Sequence, residues 1–130
     1  MPFTRISLIK GKSPEYLQAV SNSLHDALAE VFDVPADDRF QVIQQVEANE
    51  LIFDRHYMGG PRTDDYMLIN VVAGKPRSRE TKRAFFQRAV EKLTASPGVR
   101  PEDVMIVIQT ANTDEWSLSS GKQMIIGETP

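Results

Sequence analysis

The chain opens Met1-Pro2-Phe3. Proline is small enough that cells usually trim an initiator methionine standing before it, so a mature chain beginning at Pro2 is expected. That leaves a free secondary amine, and an unperturbed α-amino group titrates at roughly pH 7.7–8.0. A group poised there acts as base or acid near neutral pH once burial or a neighbour tunes it. With Met1 retained, the Pro2 nitrogen is an amide and has no basicity. Asp38, Lys75 and Arg77 are the residue types that complete a site around such an amine. Arg77 can hold a substrate carboxylate, bidentately where geometry allows. Lys75 can add a point charge there or polarise a carbonyl. Pro2 would move a proton, and Asp38 would orient a water or shape the charge of Pro2. Cations depress an amine pKa and a carboxylate raises it, so the net sign stays open.

These groups need elements to carry them. Phe3 to Ile9 reads as a first strand, stopped by Lys10-Gly11-Lys12. Ser13-Pro14-Glu15 is a helix start: an N-cap, a proline at the first helical position, an acid in the first turn. Leu17, Val20, Leu24, Ala27, Leu28 and Val31 recur at helical spacing. His25 stands beside that stripe and reads as a surface or boundary residue. Asp33-Val34-Pro35 ends the helix, and Phe40, Val42, Gln44 and Val46 alternate as a second strand.

The order then returns. Tyr66 to Ala73 reads as a strand, Ser78 as an N-cap, Phe85, Ala89 and Leu93 as a helix face, and Val104 to Thr110 as a closing strand. Val34-Pro35-Ala36-Asp37-Asp38 matches Val99-Arg100-Pro101-Glu102-Asp103 at the constant offset that carries Ser13 onto Ser78. The chain is therefore read as one α+β domain over 1–130, with repeats at roughly 2–47 and 66–111 and a tail over 112–130. Each repeat is a β-α-β unit with a right-handed crossover. Two of them make a four-stranded mixed sheet with two helices on one face, related by a pseudo-twofold. The uncovered face keeps apolar residues, so an oligomer is expected. Residues 51–65 read as a short strand plus loop, with His56 in the loop, and 123–126 as a short apolar strand.

This topology brings Pro2, the Asp38-Arg39 start of the second strand and the Lys75–Arg77 loop after the third to one sheet edge. There a helix amino terminus favours anions. Taken singly, Asp38 is a turn residue like Asp103, and Lys75, Arg77, Arg79, Lys82 and Arg83 are a solvated loop and helix face. Their convergence favours a site. Other chemistries are poorly served. The chain has no cysteine, which removes disulfides and thiolate nucleophiles or metal ligands. His56 has no nearby partner of metal-ligand type, and no Gly-rich phosphate loop, HExxH or Gly-x-Ser-x-Gly is present. The net charge of −3 argues against nucleic-acid or membrane-surface partners. No apolar run approaches a membrane span and no signal peptide precedes Pro2, so a cytoplasmic domain is expected.

Pro2, the duplicated β-α-β unit, Val34-Pro35-Ala36-x-Asp38-Arg39-Phe40, Lys75-Pro76-Arg77-Ser78 and Asp114-x-Trp116-Ser117 together resemble the tautomerase superfamily, nearest its malonate semialdehyde decarboxylase branch. The resemblance covers nearly the whole chain. It implies a homotrimer that works without metal or organic cofactor, with Pro2 catalytic, Asp38 its partner, and Arg77 the second of two carboxylate-facing cations. Lys75 stands where the branch has the other arginine, and lysine lacks the planar fork. Trp116 matches a hydrophobic wall, Leu118 stands where phenylalanine is usual, and Ile125 also lines the pocket by this resemblance.

Two reactions on a small oxo-carboxylate follow. Neutral Pro2 would shuttle a proton in keto–enol tautomerisation of a 2-oxo acid. Cationic Pro2 with Asp38 would serve decarboxylation of a 3-oxo acid, or hydration of an unsaturated one. A third reading is a non-catalytic trimeric binding or assembly protein that keeps the fold, which retention of Met1 would favour.

Overall fold

The structure, a computed structural model, describes residues 2–124. Strand β1 (Phe3–Ile9) alternates, with Thr4, Ile6 and Leu8 buried and Arg5 exposed, as a strand covered on one face requires. Helix α1 (Pro14–Phe32) starts where Ser13 Oγ accepts from the Tyr16 amide at 3.1 Å. It stops at Asp33, whose left-handed backbone (φ 55) closes the last turn.

The buried surface of α1 is wider than the apolar stripe alone. Ser21, His25, Leu28 and Phe32 form a second buried row, one step round the helix at i, i+4, i+7, i+11 spacing. His25 is only 4% exposed. The surface or boundary position expected for it is thus corrected. Its row faces the segment that follows the helix, and the contacts described below satisfy its polar members.

Strand β2 (Gln41–Val46) runs parallel to β1, and β3 (Met67–Ala73) runs antiparallel to it. After α2 (Arg79–Ala95), β4 (Val104–Thr110) runs parallel to β3, giving the order β2-β1-β3-β4. Thr4 pairs with Gln41 and Met67 with Val104, so both parallel pairs share a spacing of 37 residues. Helix α2 repeats the start of α1, with Ser78 Oγ accepting from the Thr81 amide at 3.1 Å. The fold is the expected duplicated β-α-β sheet.

Both helices bury their apolar faces against the sheet. Val20, Leu24, Phe85, Ala89 and Leu93 meet Ile6, Ile69 and Val71 in one cluster. Phe85 is fully buried, which stabilises the fold by on the order of 2–3 kcal/mol. Its ring lies 4.8 Å from that of Phe32, tying α2 to the end of α1. Outside the core, Glu30 of α1 bonds Arg88 Nε and Lys92 Nζ of α2, each at 2.7 Å. The opposite sheet face is open, exposing Phe40, Val42, Met105 and Val107.

Two local expectations change. Residues 51–65 contain no strand. They form a loop braced by Arg55 on the Arg62 carbonyl and Asp64, and by Arg62 on the Asp54 carbonyl. Gly60 (φ +103) is required there, because a Cβ would sit 2.2 Å from the Arg55 carbonyl oxygen. Near the other end, β5 (Ser117–Ser119) and β6 (Lys122–Gln123) form a small antiparallel hairpin. Of the strand expected over 123–126, Ile125 and Ile126 lie outside the described residues.

Candidate functional site

One end of the sheet collects the chemistry-bearing segments. Phe3 lies opposite Val72 and Thr4 opposite Gln41, and the Thr4 amide donates to the Phe40 carbonyl at 3.0 Å. Pro2, which is buried, therefore stands between the approach to β2 and the end of β3. The Ala111 amide donates to the Ala73 carbonyl at 2.9 Å, bringing the segment after β4 to the same end.

Asp38 reaches this end on a tight turn. Its amide donates to the Pro35 carbonyl at 3.0 Å, and its side chain is buried, at 8% exposure. Within the turn, the Ala36 carbonyl accepts from His25 Nε2 at 2.8 Å. Arg39 turns the other way, donating from Nη1 to Asn22 Oδ1 at 2.7 Å and Ser21 Oγ at 3.3 Å on α1.

Arg77 sits in the loop between β3 and α2 and reaches across to the end of α1. Its Nη2 donates to the Phe32 carbonyl and its Nη1 to the Lys75 carbonyl, both at 3.0 Å. The guanidinium carbon lies 4.5 Å above the Phe32 ring. The cation thus serves the α1 carboxyl end, whose own last turn carries no basic residue. Burial lowers its pKa from the usual arginine value, with Asp33 opposing that shift. A guanidinium has five N–H donors, and two here bond the protein.

Lys75 is exposed and borders a cavity of about 660 Å³ shared with Asn112, Thr113, Asp114, Gln123 and Met124. The wall is tied together: Gln123 Nε2 donates to the Asp114 carbonyl at 2.8 Å and the Met124 amide to the Trp116 carbonyl at 2.9 Å. Trp116 and Leu118 are half-buried in this hairpin region. Trp116 Nε1 is buried with no hydrogen-bond partner among the described residues. Ile125 lies outside the described residues.

The pseudo-equivalent carboxylate at the other sheet end behaves differently. Asp103 is fully buried, and accepts from the Thr63 amide and hydroxyl, both at 2.6 Å. Nearby, Lys12 is bonded to Asp65, and that hydrogen bond raises the lysine pKa. This copy is tied into the linker.

Sequence reasoning gave Phe32, Asn112 and Gln123 no role in a site, and it read His25 as a surface or boundary residue. Phe32 had one signal, an aromatic residue in the last turn of a helix with no basic residue to cap it. Asn112 had another, since Asn112-x-x-Glu115 is a capping box. Among the described residues, no cluster of metal-ligand side chains and no helix long and apolar enough to cross a membrane is found.

Comparison with known proteins agrees with this architecture. Two family models, each described as tautomerase enzyme, match residues 38–119 and 2–59. The probable tautomerase YusQ of Bacillus subtilis (strain 168) is 35% identical over 126 residues, covering 97% of this chain and 99% of that protein. A malonate semialdehyde decarboxylase structure superposes with a TM-score of 0.87 at 26% identity, covering 92% of each chain. The FG41 malonate semialdehyde decarboxylase, solved inhibited by 3-bromopropiolate, gives 0.86 at 33% identity over 92% of this chain and 91% of that one. By the extent of these matches and by its fold, the chain belongs to the tautomerase family of enzymes, with a likeness to malonate semialdehyde decarboxylase.

Proposed function

We propose that this protein is an amino-terminal-proline enzyme, active once Met1 is removed, that decarboxylates a small 3-oxo acid such as malonate semialdehyde. The observation that carries this reading is the buried Asp38 on a braced turn at the same sheet end as buried Pro2. A carboxylate beside an amine favours the cationic form, and cationic Pro2 is the acid this reaction needs. Arg77, backed by Phe32, holds the substrate carboxylate with its remaining N–H groups. Pro2 donates a hydrogen bond to the 3-oxo oxygen. The bond between C1 and C2 breaks, its electron pair passes into the enolate, and carbon dioxide leaves. A proton from Pro2 then reaches C2, leaving the neutral amine, and solvent returns a proton to restore the cation. Asp38 keeps the amine cationic and can orient a water in the related hydration of an unsaturated acid. Lys75 supplies a second positive charge, while Trp116 and Leu118 bound the apolar side.

A second reading, keto–enol tautomerisation of a 2-oxo acid by neutral Pro2, is favoured by likeness to the probable tautomerase YusQ. In both readings the unit is a homotrimer. Open-face Phe40, Val42, Met105 and Val107 support self-association. Replacing Pro2 by alanine tests both reactions. Turnover should fall at least 10²-fold, the lower end for a lost acid–base group, with the oligomer intact by light scattering. Unchanged turnover would remove proline catalysis.

A further inference from the structure

We infer that His25 is a positioning residue for Asp38, acting through the backbone of the turn that carries it; this rests on the proline-enzyme reading above. The imidazole is 4% exposed and its Nε2 lies 2.8 Å from the Ala36 carbonyl oxygen. A carbonyl oxygen can only accept, so Nε2 carries the proton. Ala36 is the second residue of the turn closed by the Asp38 amide on the Pro35 carbonyl at 3.0 Å. A side chain fixed inside α1 thus holds the middle of a four-residue turn whose last residue is Asp38.

The second repeat shows that the turn itself does not require this device. Ser13 and Ser78, and likewise Pro14 and Arg79, are 65 residues apart at the two helix starts. By the same spacing Val90 stands in place of His25 and Pro101 in place of Ala36. There the Asp103 amide bonds the Arg100 carbonyl at 3.0 Å, the same turn, with no imidazole beneath it. Asp103 is fixed through its carboxylate, by Thr63. His25 instead acts on a main-chain carbonyl two residues before Asp38, so it sets where the side chain starts without bonding the carboxylate. The neighbours in its helical row do parallel work: Ser21 accepts from Arg39, and Phe32 carries Arg77. One row of α1 therefore sets two segments, residues 35–39 and the loop that carries Arg77.

The test compares His25→Leu with His25→Gln, whose amide nitrogen can replace Nε2 as donor. With malonate semialdehyde and phenylpyruvate as probes, His25→Leu should lower kcat about tenfold with KM within about twofold. A misplaced group costs rate in this way. His25→Gln should keep kcat within about twofold of wild type. Hydrogen exchange of the Asp38 amide should speed up about tenfold in the leucine variant alone. Full kcat in His25→Leu, or an equal loss in both variants, overturns the inference. Should the leucine variant not fold, nitrogen NMR of the wild type still decides, because an Nδ1–H tautomer at neutral pH contradicts the bond to Ala36. Should wild type turn over neither probe, the proposed function fails, while the exchange and tautomer measurements still report on the turn.

Discussion

Arg77 and Phe32 are joined twice: the guanidinium lies 4.5 Å over the ring, and Nη2 donates 3.0 Å to the carbonyl of the same residue. A long, flexible side chain is thereby held in one orientation before any substrate arrives. Pre-organisation of this kind reduces the ordering a ligand must supply.

Replacing Arg77 by alanine removes the proposed carboxylate anchor. A charge-assisted hydrogen bond is worth roughly 1.5–3 kcal/mol, so KM for an oxo-carboxylate should rise about 10- to 100-fold, with a smaller change in kcat. Thermal denaturation should show a further loss of about 1 kcal/mol from the uncapped end of α1. Steady-state kinetics that leave KM unmoved would place the anion site elsewhere.

The two pseudo-equivalent carboxylates should separate function from stability. Asp38→Asn should lower kcat about 10²- to 10⁴-fold, the range for acid–base groups, and shift the melting temperature little. Thr63→Val removes one of the two bonds to fully buried Asp103. It should cost roughly 1.5–3 kcal/mol in urea unfolding and leave kcat unchanged. A kcat loss in Thr63→Val would mean that both ends of the sheet serve the reaction.

This division was half legible in the sequence. The caps Ser13 and Ser78, the stop at Asp33 and the strand Val104–Thr110 could be read because each is a local signal: a short polar side chain before a periodic run, a proline after one, or a short apolar run rich in β-branched residues. The convergence of Pro2, Asp38 and the Lys75–Arg77 loop followed from topology, since parallel strands and an inverted repeat fix which ends meet. The burial of His25 was not legible. It lies one step off the apolar stripe, and its partner is a backbone carbonyl, which every residue possesses. The bond from Arg77 to Phe32 joins residues 45 apart through main chain, and no side-chain pairing announces it. The strand expected within 51–65 failed for a related reason. Arginine contacts to carbonyls, rather than ladder bonds, satisfy that backbone.

Glu30 gives a pH dependence of defined sign. Hydrogen bonds from Arg88 first, then Lys92, lower its pKa from 4.5 to about 2. A folded-state pKa below the unfolded value stabilises the fold above the unfolded pKa, and that contribution is lost as pH falls from about 4.5 through about 2. The group is exposed, so the effect should be modest and weakened by salt. Melting temperatures measured between pH 5 and pH 3 should fall less steeply in Glu30→Gln than in wild type. Equal slopes would show that the clamp between α1 and α2 carries no charge energy.

The most direct test of the account is an NMR titration of the Pro2 nitrogen in the purified protein. A secondary amine that titrates at about 9 or above, raised from the roughly 7.7–8.0 of a free α-amino group, is the predicted result; its pKa should drop in Asp38→Asn. A value near or below about 7 would contradict the decarboxylase reading and select the neutral-base tautomerase. The absence of any titrating amine would contradict proline catalysis itself.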